Sequence, residues 1–185
     1  MDLDKTIKKR HCVRKFKTKK PGWEKIAKAL EAASKAPLAG NIPTVKFVVV
    51  FDKDKIEKLA QAATQSFIGA AQYVVVVCSD PTQCKRSYGE RAERYCKQQA
   101  GAAIENFLLK ITEMKLASCW VGAFSDTTVK DILRIPDHIE IEAILPVGYE
   151  MGKCTARKKP NLDDCIFFNT WKNKFMRAKR KPETL

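Results

Sequence analysis

The stretch YVVVVC at residues 73–78 is an uninterrupted apolar run in which four of the six residues are β-branched. Such a run predicts a strand that is buried on both faces. A second run, VKFVVVF at residues 45–51, has the same character, and apolar residues partly alternate with Glu over 139–147. None of these runs approaches the ~20 residues that a membrane-spanning helix requires. We therefore expect all three segments to be strands of a folded domain.

Helical periodicity surrounds the three predicted strands. Apolar residues recur at helical spacing from Trp23, and this helix should end near Ala36 because Pro37 disfavours helical geometry in the residue before it. The longest periodic segment covers 91–114. Shorter helices are predicted over 2–9, behind Asp54 as an N-cap, and from Asp126 to before Pro136. Long helices combined with three or four strands predict a single α+β domain over residues 1–185.

The formal net charge of +14 is confined to the two ends of the chain. Residues 1–20 carry 9 Lys or Arg against 2 acids, residues 153–185 carry 10 against 3, and residues 21–152 carry 16 of each. Basic ends, including the tail at about 172–185, attract polyanions such as nucleic acid. However, the sequence contains no recognition helix, RNA-binding sheet signature or basic face with interleaved aromatic residues. A nucleic-acid-binding protein is therefore the least favoured class.

The cysteines indicate a reducing compartment. The chain has seven, an odd number, and they include no C-x-x-C pair. A disulfide framework or a Cys-rich zinc site is not expected, and with only two histidines no metal site is predicted. The N-terminus is charged from Asp2 onward, with no apolar signal-peptide segment after it. We expect a cytoplasmic protein with reduced thiols.

Three segments could contact a ligand. The basic segment RHCVRKF at residues 10–16 places the guanidiniums of Arg10 and Arg14 within five residues, which suits bidentate binding of a phosphate, although such a run is also typical of a solvated helix end. In the loop 36–43, Gly40 can adopt a positive φ and the Asn41 amide can both donate and accept, or the loop is an ordinary connection. Gly122 could let the backbone approach a flat ligand, with the same alternative.

Several well-known sites are missing from the sequence. No G-x-G-x-x-G follows a strand, no G-x-x-x-x-G-K-[ST] occurs, and no G-x-S-x-G occurs. A Rossmann dinucleotide site, a P-loop and a hydrolase nucleophile elbow are therefore unsupported.

Taken in order, these segments resemble the nitroreductase family of FMN-dependent flavoproteins over nearly the whole chain. RHCVRKF at 10–16 is similar to the family's R-[RH]-S-x-[RK]-x-F, and SCWVGAF at 118–124 matches S-C-W-[IV]-G-A-F. Weaker similarities follow the same order: APLAGN at 36–41, the helix at 101–109, IP at 135–136, LPVGY at 145–149 and RKKPNL at 157–162. Three positions depart from the family pattern: Cys12 and Leu38 stand where Ser is usual, and PTV at 43–45 replaces Q-P-W.

The resemblance implies a fold and a cofactor site. The fold is α+β, with a central mixed or antiparallel sheet flanked by helices, and FMN lies at a homodimer interface in clefts built from both subunits. The residues implied to contact the cofactor are Arg10, His11, Cys12, Arg14, Asn41, Trp120, Gly122, Ala123, Arg157 and Lys158. The chemistry is centred on the flavin, so no side chain is expected to be catalytic in its own right. Arg14 is the candidate for stabilising the reduced flavin.

The resemblance also implies a function. The protein would take hydride from NADH or NADPH onto FMN and pass reducing equivalents to a nitroaromatic, a quinone or a related small-molecule acceptor by a ping-pong mechanism. The alternative is a flavin-binding protein of the same fold with a narrower role, either reductive dehalogenation or sensing. Neither reading involves a membrane.

Overall fold

The apolar run at 73–78 forms strand β2 (Tyr73–Ser79) inside a four-stranded sheet. The computed structural model describes residues 2–152 and 158–174, and the chain divides into two units between Cys154 and Thr155. The other strands, all in the first unit, are β1 (Val45–Val50), β3 (Ala117–Ser118) and β4 (Glu140–Gly148). Their order is β1-β2-β4-β3, and every pair is antiparallel. The α+β fold is confirmed; that residues 1–185 form one domain stays a prediction.

Six helices of the first unit surround this sheet. They are α1 (Leu3–Lys9), α2 (Trp23–Ser34), α3 (Lys53–Ala62), α4 (Thr82–Tyr88), α5 (Ala92–Glu113) and α6 (Asp126–Leu133). Single turns of 3₁₀-helix lie at Ala39–Asn41, Ser66–Ile68 and Gly89–Arg91. Within 2–152 and 158–174, no helix has the length and apolar character needed to cross a bilayer.

Strand β2 separates two apolar clusters. Its seven residues are all buried, as the apolar run predicts. Successive side chains of a strand point to opposite faces, so Val76 packs in the cluster that includes Leu59 of α3, whereas Val75 packs in the cluster that includes Phe107 of α5. Burying both faces in this way keeps β2 rigid and leaves functional groups to the loops and termini around the sheet.

Two predicted helix caps are wrong by one or two residues. The side chain of Asp52, not Asp54, accepts the hydrogen bond from the Lys55 amide at 3.0 Å, because α3 begins immediately after the strand exit. Likewise Ser125 caps α6, and Asp126 lies in its first turn. In both cases the acid instead complements the helix dipole from inside the first turn.

The second unit is described over 158–174. It contains one short helix, α7 (Leu162–Cys165). A turn follows it, in which the Asn173 side-chain amide donates to the Phe168 carbonyl oxygen at 2.7 Å and the rings of Phe167 and Trp171 lie 4.5 Å apart. Trp171 is nevertheless exposed.

Candidate functional site

Two motifs that lie more than 100 residues apart in sequence meet on the surface of the first unit. The backbone becomes extended at Arg10, where α1 ends, and Cys12 forms a parallel bridge with Ser118 of β3. The Val13 amide donates to the Ser118 carbonyl oxygen at 3.0 Å. Because Val13 is buried and side chains alternate along an extended chain, the neighbouring side chains of Cys12 and Arg14 are exposed. The segment 10–16 is thus held alongside the segment 118–124.

The two arginines of the first segment are held differently. The Arg10 guanidinium forms an ion pair with Glu105 of α5, with Nε 3.1 Å from Oε1, and the Arg10 side chain is only 18% exposed. The Arg14 guanidinium lies 5.7 Å from the centre of the Phe67 ring and faces solvent. Arg10 therefore has a charge partner within the chain, whereas Arg14 presents its charge at the surface.

The pKa of Cys12 is strongly lowered at this surface. A hydrogen bond from the Cys119 thiol, the Trp120 amide and the positive charges of Arg10 and Arg14 together lower the pKa of Cys12 from 9.0 to about 5, against the opposing effect of partial burial. The same contact with Cys12, together with burial, raises the pKa of Cys119. At neutral pH the pair therefore carries a single negative charge, and this charge resides on the Cys12 sulfur.

The second segment offers a flat, open surface. The Val121 amide and carbonyl both hydrogen-bond to Ile144 of β4 at 3.0 Å, which fixes the backbone on either side. Trp120 remains 40% exposed. A Cβ placed on Gly122 would meet no atom within 4 Å, so the space beside this backbone is open. The Ala123 carbonyl oxygen accepts a hydrogen bond from the Gln65 side chain at 3.3 Å.

The other two predicted residues of the first unit, His11 and Asn41, have contacts of their own. His11 Nδ1 is 2.7 Å from the Lys9 carbonyl oxygen and Nε2 is 3.3 Å from the Glu150 carboxylate. These bonds turn the imidazole away from Cys12. The Asn41 loop adopts the expected positive φ at Gly40 and also at Asn41 itself, and Gly40 lies directly against the Tyr88 hydroxyl.

The Asn41 loop and Arg10 are linked to different parts of α5. Tyr88 packs on Tyr95, near the start of α5, whereas Arg10 binds Glu105 on the same helix. Ten helical residues between these two contacts span about 15 Å along the axis. Of the remaining predicted residues, Arg157 lies outside the described residues, and Lys158 is exposed in the second unit.

Several residues of this surface lie outside the motifs that mark the site in the sequence. Phe67 and Gln65 reach it from the 3₁₀ turn after α3, and no motif marks them. Cys119 is part of the SCWVGAF motif but shows its importance only once Cys12 is placed beside it. Asn106, which could be a site residue or a structural one, donates to the Ala32 carbonyl oxygen at 3.3 Å and so joins α5 to α2.

The comparison with known proteins supplies the family. The family model described as "Nitroreductase family" matches residues 7–72 and 60–149, which include both motif segments. The chain belongs to the nitroreductase family.

Several members of this nitroreductase family resemble the chain closely enough to be informative. A protein of Archaeoglobus fulgidus, provisionally named an NADH dehydrogenase/NAD(P)H nitroreductase, is 31% identical over 78% of this chain and 83% of its own. The iodotyrosine deiodinase of Thermotoga neapolitana is 24% identical over 89% of this chain and 96% of its own. The solved FMN-dependent nitroreductase of Clostridium difficile superposes with a TM-score of 0.77 at 27% identity, over 90% of this chain and 98% of its own. Family membership supports a flavin oxidoreductase of a general kind.

The residues of the surface fit FMN as a ligand. Open space beside Gly122 and the exposed Trp120 ring suit a flat ring system, and the Arg14 guanidinium suits an anionic group. The Cys12 thiolate adds a negative charge at the same place, but the two guanidiniums beside it give the segment 10–14 a net positive charge. The donor set thus favours a phosphate-bearing cofactor.

Proposed function

We propose that this nitroreductase-family protein is an FMN-dependent oxidoreductase that takes hydride from NADH or NADPH and reduces a nitroaromatic, a quinone or a related acceptor in a ping-pong cycle. The observation that carries the proposal is the joining of segments 10–16 and 118–124, through the Cys12–Ser118 bridge and the Val13 hydrogen bond. This contact puts cations and an open backbone surface side by side.

Each part of the surface has a proposed role. Arg10 and Arg14 would bind the phosphate and ribityl groups together with Cys12. Trp120, Gly122 and Ala123 would lie beside the ring, and Arg14 would hold a fixed positive charge near the edge where negative charge collects. Bound FMN would supply the hydride chemistry, because none of these side chains can accept or donate hydride itself.

The test is the visible spectrum of the purified protein. We expect a flavin spectrum, either as isolated or after FMN is added, that is bleached by NADH or NADPH under argon and restored by a nitroaromatic or a quinone. The variant Arg14→Ala should weaken FMN binding, whereas Lys28→Ala, which removes a cation from helix α2, should leave it unchanged. A protein that stays colourless with excess FMN would contradict the proposal.

We also propose that the working unit is a homodimer in which His11 and Asn41 act at a shared site. The contacts of the two regions with α5 support this, because the Asn41 loop is linked through Tyr88 to Tyr95, about 15 Å along the helix from Glu105, the partner of Arg10. One chain has a mass of 20.9 kDa, and light scattering of the flavin-bound protein should give twice this mass. A monomer that retains FMN would contradict the shared site.

A second candidate function is reductive dehalogenation, which the similarity to the deiodinase of T. neapolitana favours. The two candidates differ in the acceptor that reoxidises the reduced protein. Under argon, release of iodide from an iodinated phenol or iodotyrosine would support dehalogenation. Reoxidation by a nitroaromatic without iodide release would support the first candidate.

A further inference from the structure

Cys12 and Cys119 form a thiol pair with unequal partners. Cys12 is exposed at the surface, and Cys119 lies buried behind it at 1% exposure. Each thiol acts on the ionisation of the other: Cys119 lowers the pKa of Cys12, and Cys12 raises the pKa of Cys119. The Cys119 thiol donates a weak hydrogen bond to the Trp120 carbonyl oxygen at 3.8 Å. The pair therefore combines an exposed thiol with a buried one that keeps its proton.

The backbone bridge beside the pair brings the two Cα atoms within disulfide range. Cys119 follows Ser118, which is bridged directly to Cys12. Paired segments lie about 4.8 Å apart and one residue along a strand adds about 3.3 Å, so the two Cα atoms are roughly 6 Å apart. This separation falls within the range of about 4.4–6.8 Å found in disulfides.

The groups around Cys12 favour its thiolate. The Trp120 amide donates to the sulfur, and the charges of Arg10 and Arg14 lie nearby. Glu105, which pairs with Arg10, weakens but does not cancel this field, because Arg14 has its own exposed charge. An exposed thiolate flanked by guanidiniums, with a second thiol in contact, is the arrangement of a redox-reactive cysteine with a resolving partner.

We propose that Cys12 and Cys119 are a peroxide-reactive dithiol that closes to a reversible disulfide. In the first step the Cys12 thiolate attacks a hydroperoxide, the O–O bond breaks, and Cys12 becomes a sulfenic acid as hydroxide leaves. In the second step the Cys119 sulfur attacks Cys12, the S–O bond breaks, and the Cys119 proton leaves with the oxygen as water. Two thiols are thus oxidised by two electrons, and one peroxide is reduced. The proposal does not rest on the proposed function.

The pH of the reaction determines how much faster Cys12 reacts than a reference thiol. With a pKa of about 5, Cys12 is largely ionised at pH 5.5, whereas a thiol of pKa 9.0 is not. The lower pKa also makes the thiolate a weaker nucleophile, so the net advantage over a reference thiol of pKa 9.0 is roughly 2-fold at pH 7 but roughly 40-fold at pH 5.5. The measurement therefore belongs at pH 5.5.

The experiment treats the full-length purified protein with one equivalent of hydrogen peroxide at pH 5.5, followed by alkylation and peptide mass spectrometry. We expect the loss of two thiols per chain, a linked peptide pair containing Cys12 and Cys119, and full reversal by dithiothreitol. Cys119→Ser should stop at a sulfenic acid on Cys12 that dimedone captures. Cys165→Ser, which removes another exposed thiol, should leave the reaction unchanged.

Wild-type peptide mapping alone can overturn the proposal, even if a variant fails to fold. Oxidation of Cys12 no faster than that of a free thiol with pKa 9.0 would contradict it. So would a disulfide that joins other cysteines, or direct passage of Cys12 to sulfinic acid with Cys119 still reduced. Because the readout is the state of the sulfur atoms, it does not depend on any reductase activity.

Discussion

The first unit contains two cysteine pairs that differ in almost everything except the contact between their sulfur atoms. In one pair, Cys12 is exposed beside two arginines. In the other, Cys84 and Cys96 are both buried in an apolar cluster with Ala92, and Cys84 donates a weak hydrogen bond to the Ala92 carbonyl oxygen at 3.9 Å. Burial, with Cys84 as a further cause, raises the pKa of Cys96 to about 11.

The difference shows that contact between thiols does not by itself create a reactive site. Desolvation disfavours a thiolate, and the Cys84–Cys96 cluster offers nothing cationic to offset it. At Cys12, an amide donor, a thiol donor and two guanidiniums outweigh partial burial. We therefore regard Cys84 and Cys96 as structural core residues and Cys12 as a reactive thiol.

The largest expected effect is in the rate of alkylation at pH 5.5. The ionised fraction follows from a pKa of about 5 for Cys12 and about 11 for Cys96. After the lower nucleophilicity of the Cys12 thiolate is included, its reaction with iodoacetamide should be several hundred-fold faster, roughly, and burial of Cys96 adds to the contrast. Timed alkylation with peptide mass spectrometry measures both rates. Equal rates in the folded protein would remove the distinction between the pairs.

The second-largest expected effect is in the pKa of Cys12, and it separates the contributions of Cys119 and Arg14 to that pKa. Cys119→Ala removes the hydrogen bond that contributes most to the lowered pKa, and Arg14→Gln removes one of the smaller charge contributions. Both variants should raise the pKa of Cys12, and Cys119→Ala should raise it more. Thiolate absorbance during a pH titration measures each shift, and Arg14→Lys, which keeps the charge, is the control. A larger shift for Arg14→Gln would mean that the field, not the buried thiol, governs Cys12.

A smaller effect concerns the free energy of unfolding. Cys84→Ser places a hydroxyl in a fully buried apolar cluster and should cost about 1–3 kcal/mol. At pH 5, where the thiolate contributes least, Cys12→Ser at its exposed position should change stability by no more than about 0.5 kcal/mol. Urea denaturation of the two variants beside the wild type gives both values. A loss at Cys12 as large as that at Cys84 would show that the exposed pair is also structural.

Sequence and structure agree most closely where burial is complete. The run at 73–78 is enough to predict β2, because a short apolar run rich in β-branched residues is typical of a strand covered on both faces. The motifs likewise identify the segments 10–16 and 118–124. What they cannot give is the state of Cys12, since its pKa depends on Cys119 and Trp120, which are distant in sequence and approach it only through the bridge at Ser118.

The candidate site shows the same limit. Phe67 and Gln65 are ordinary residues in the sequence, and their role comes from the turn that carries them to Arg14 and Ala123. His11 adjoins Cys12 in sequence, yet its hydrogen bonds to Lys9 and Glu150 direct it elsewhere. Adjacent residues of an extended segment point to opposite sides, so proximity in sequence is a poor guide to a shared site.

The smallest expected effect is the pH dependence of stability, which should have opposite signs at the two pairs. The pKa of Cys12 is lower in the folded chain than the ordinary 9.0, so its contribution is fully present above pH 9 and is lost as the pH falls toward about 5. The pKa of Cys96 is raised to about 11, so its contribution is fully present below pH 9 and is lost as the pH rises through 11. Solvent screening at the exposed Cys12 keeps its effect small.

Urea denaturation of Cys12→Ser and Cys96→Ala across this pH range isolates the two contributions. The stability difference between wild type and Cys12→Ser should grow from pH 5 to 9, a range in which Cys119, whose pKa is raised, keeps its proton. The difference between wild type and Cys96→Ala should instead shrink from pH 9 to 11. If the two stability differences instead change with pH in the same direction, burial alone would explain both pKa shifts. The charges and hydrogen-bond donors around Cys12 would then not be needed to explain its thiolate.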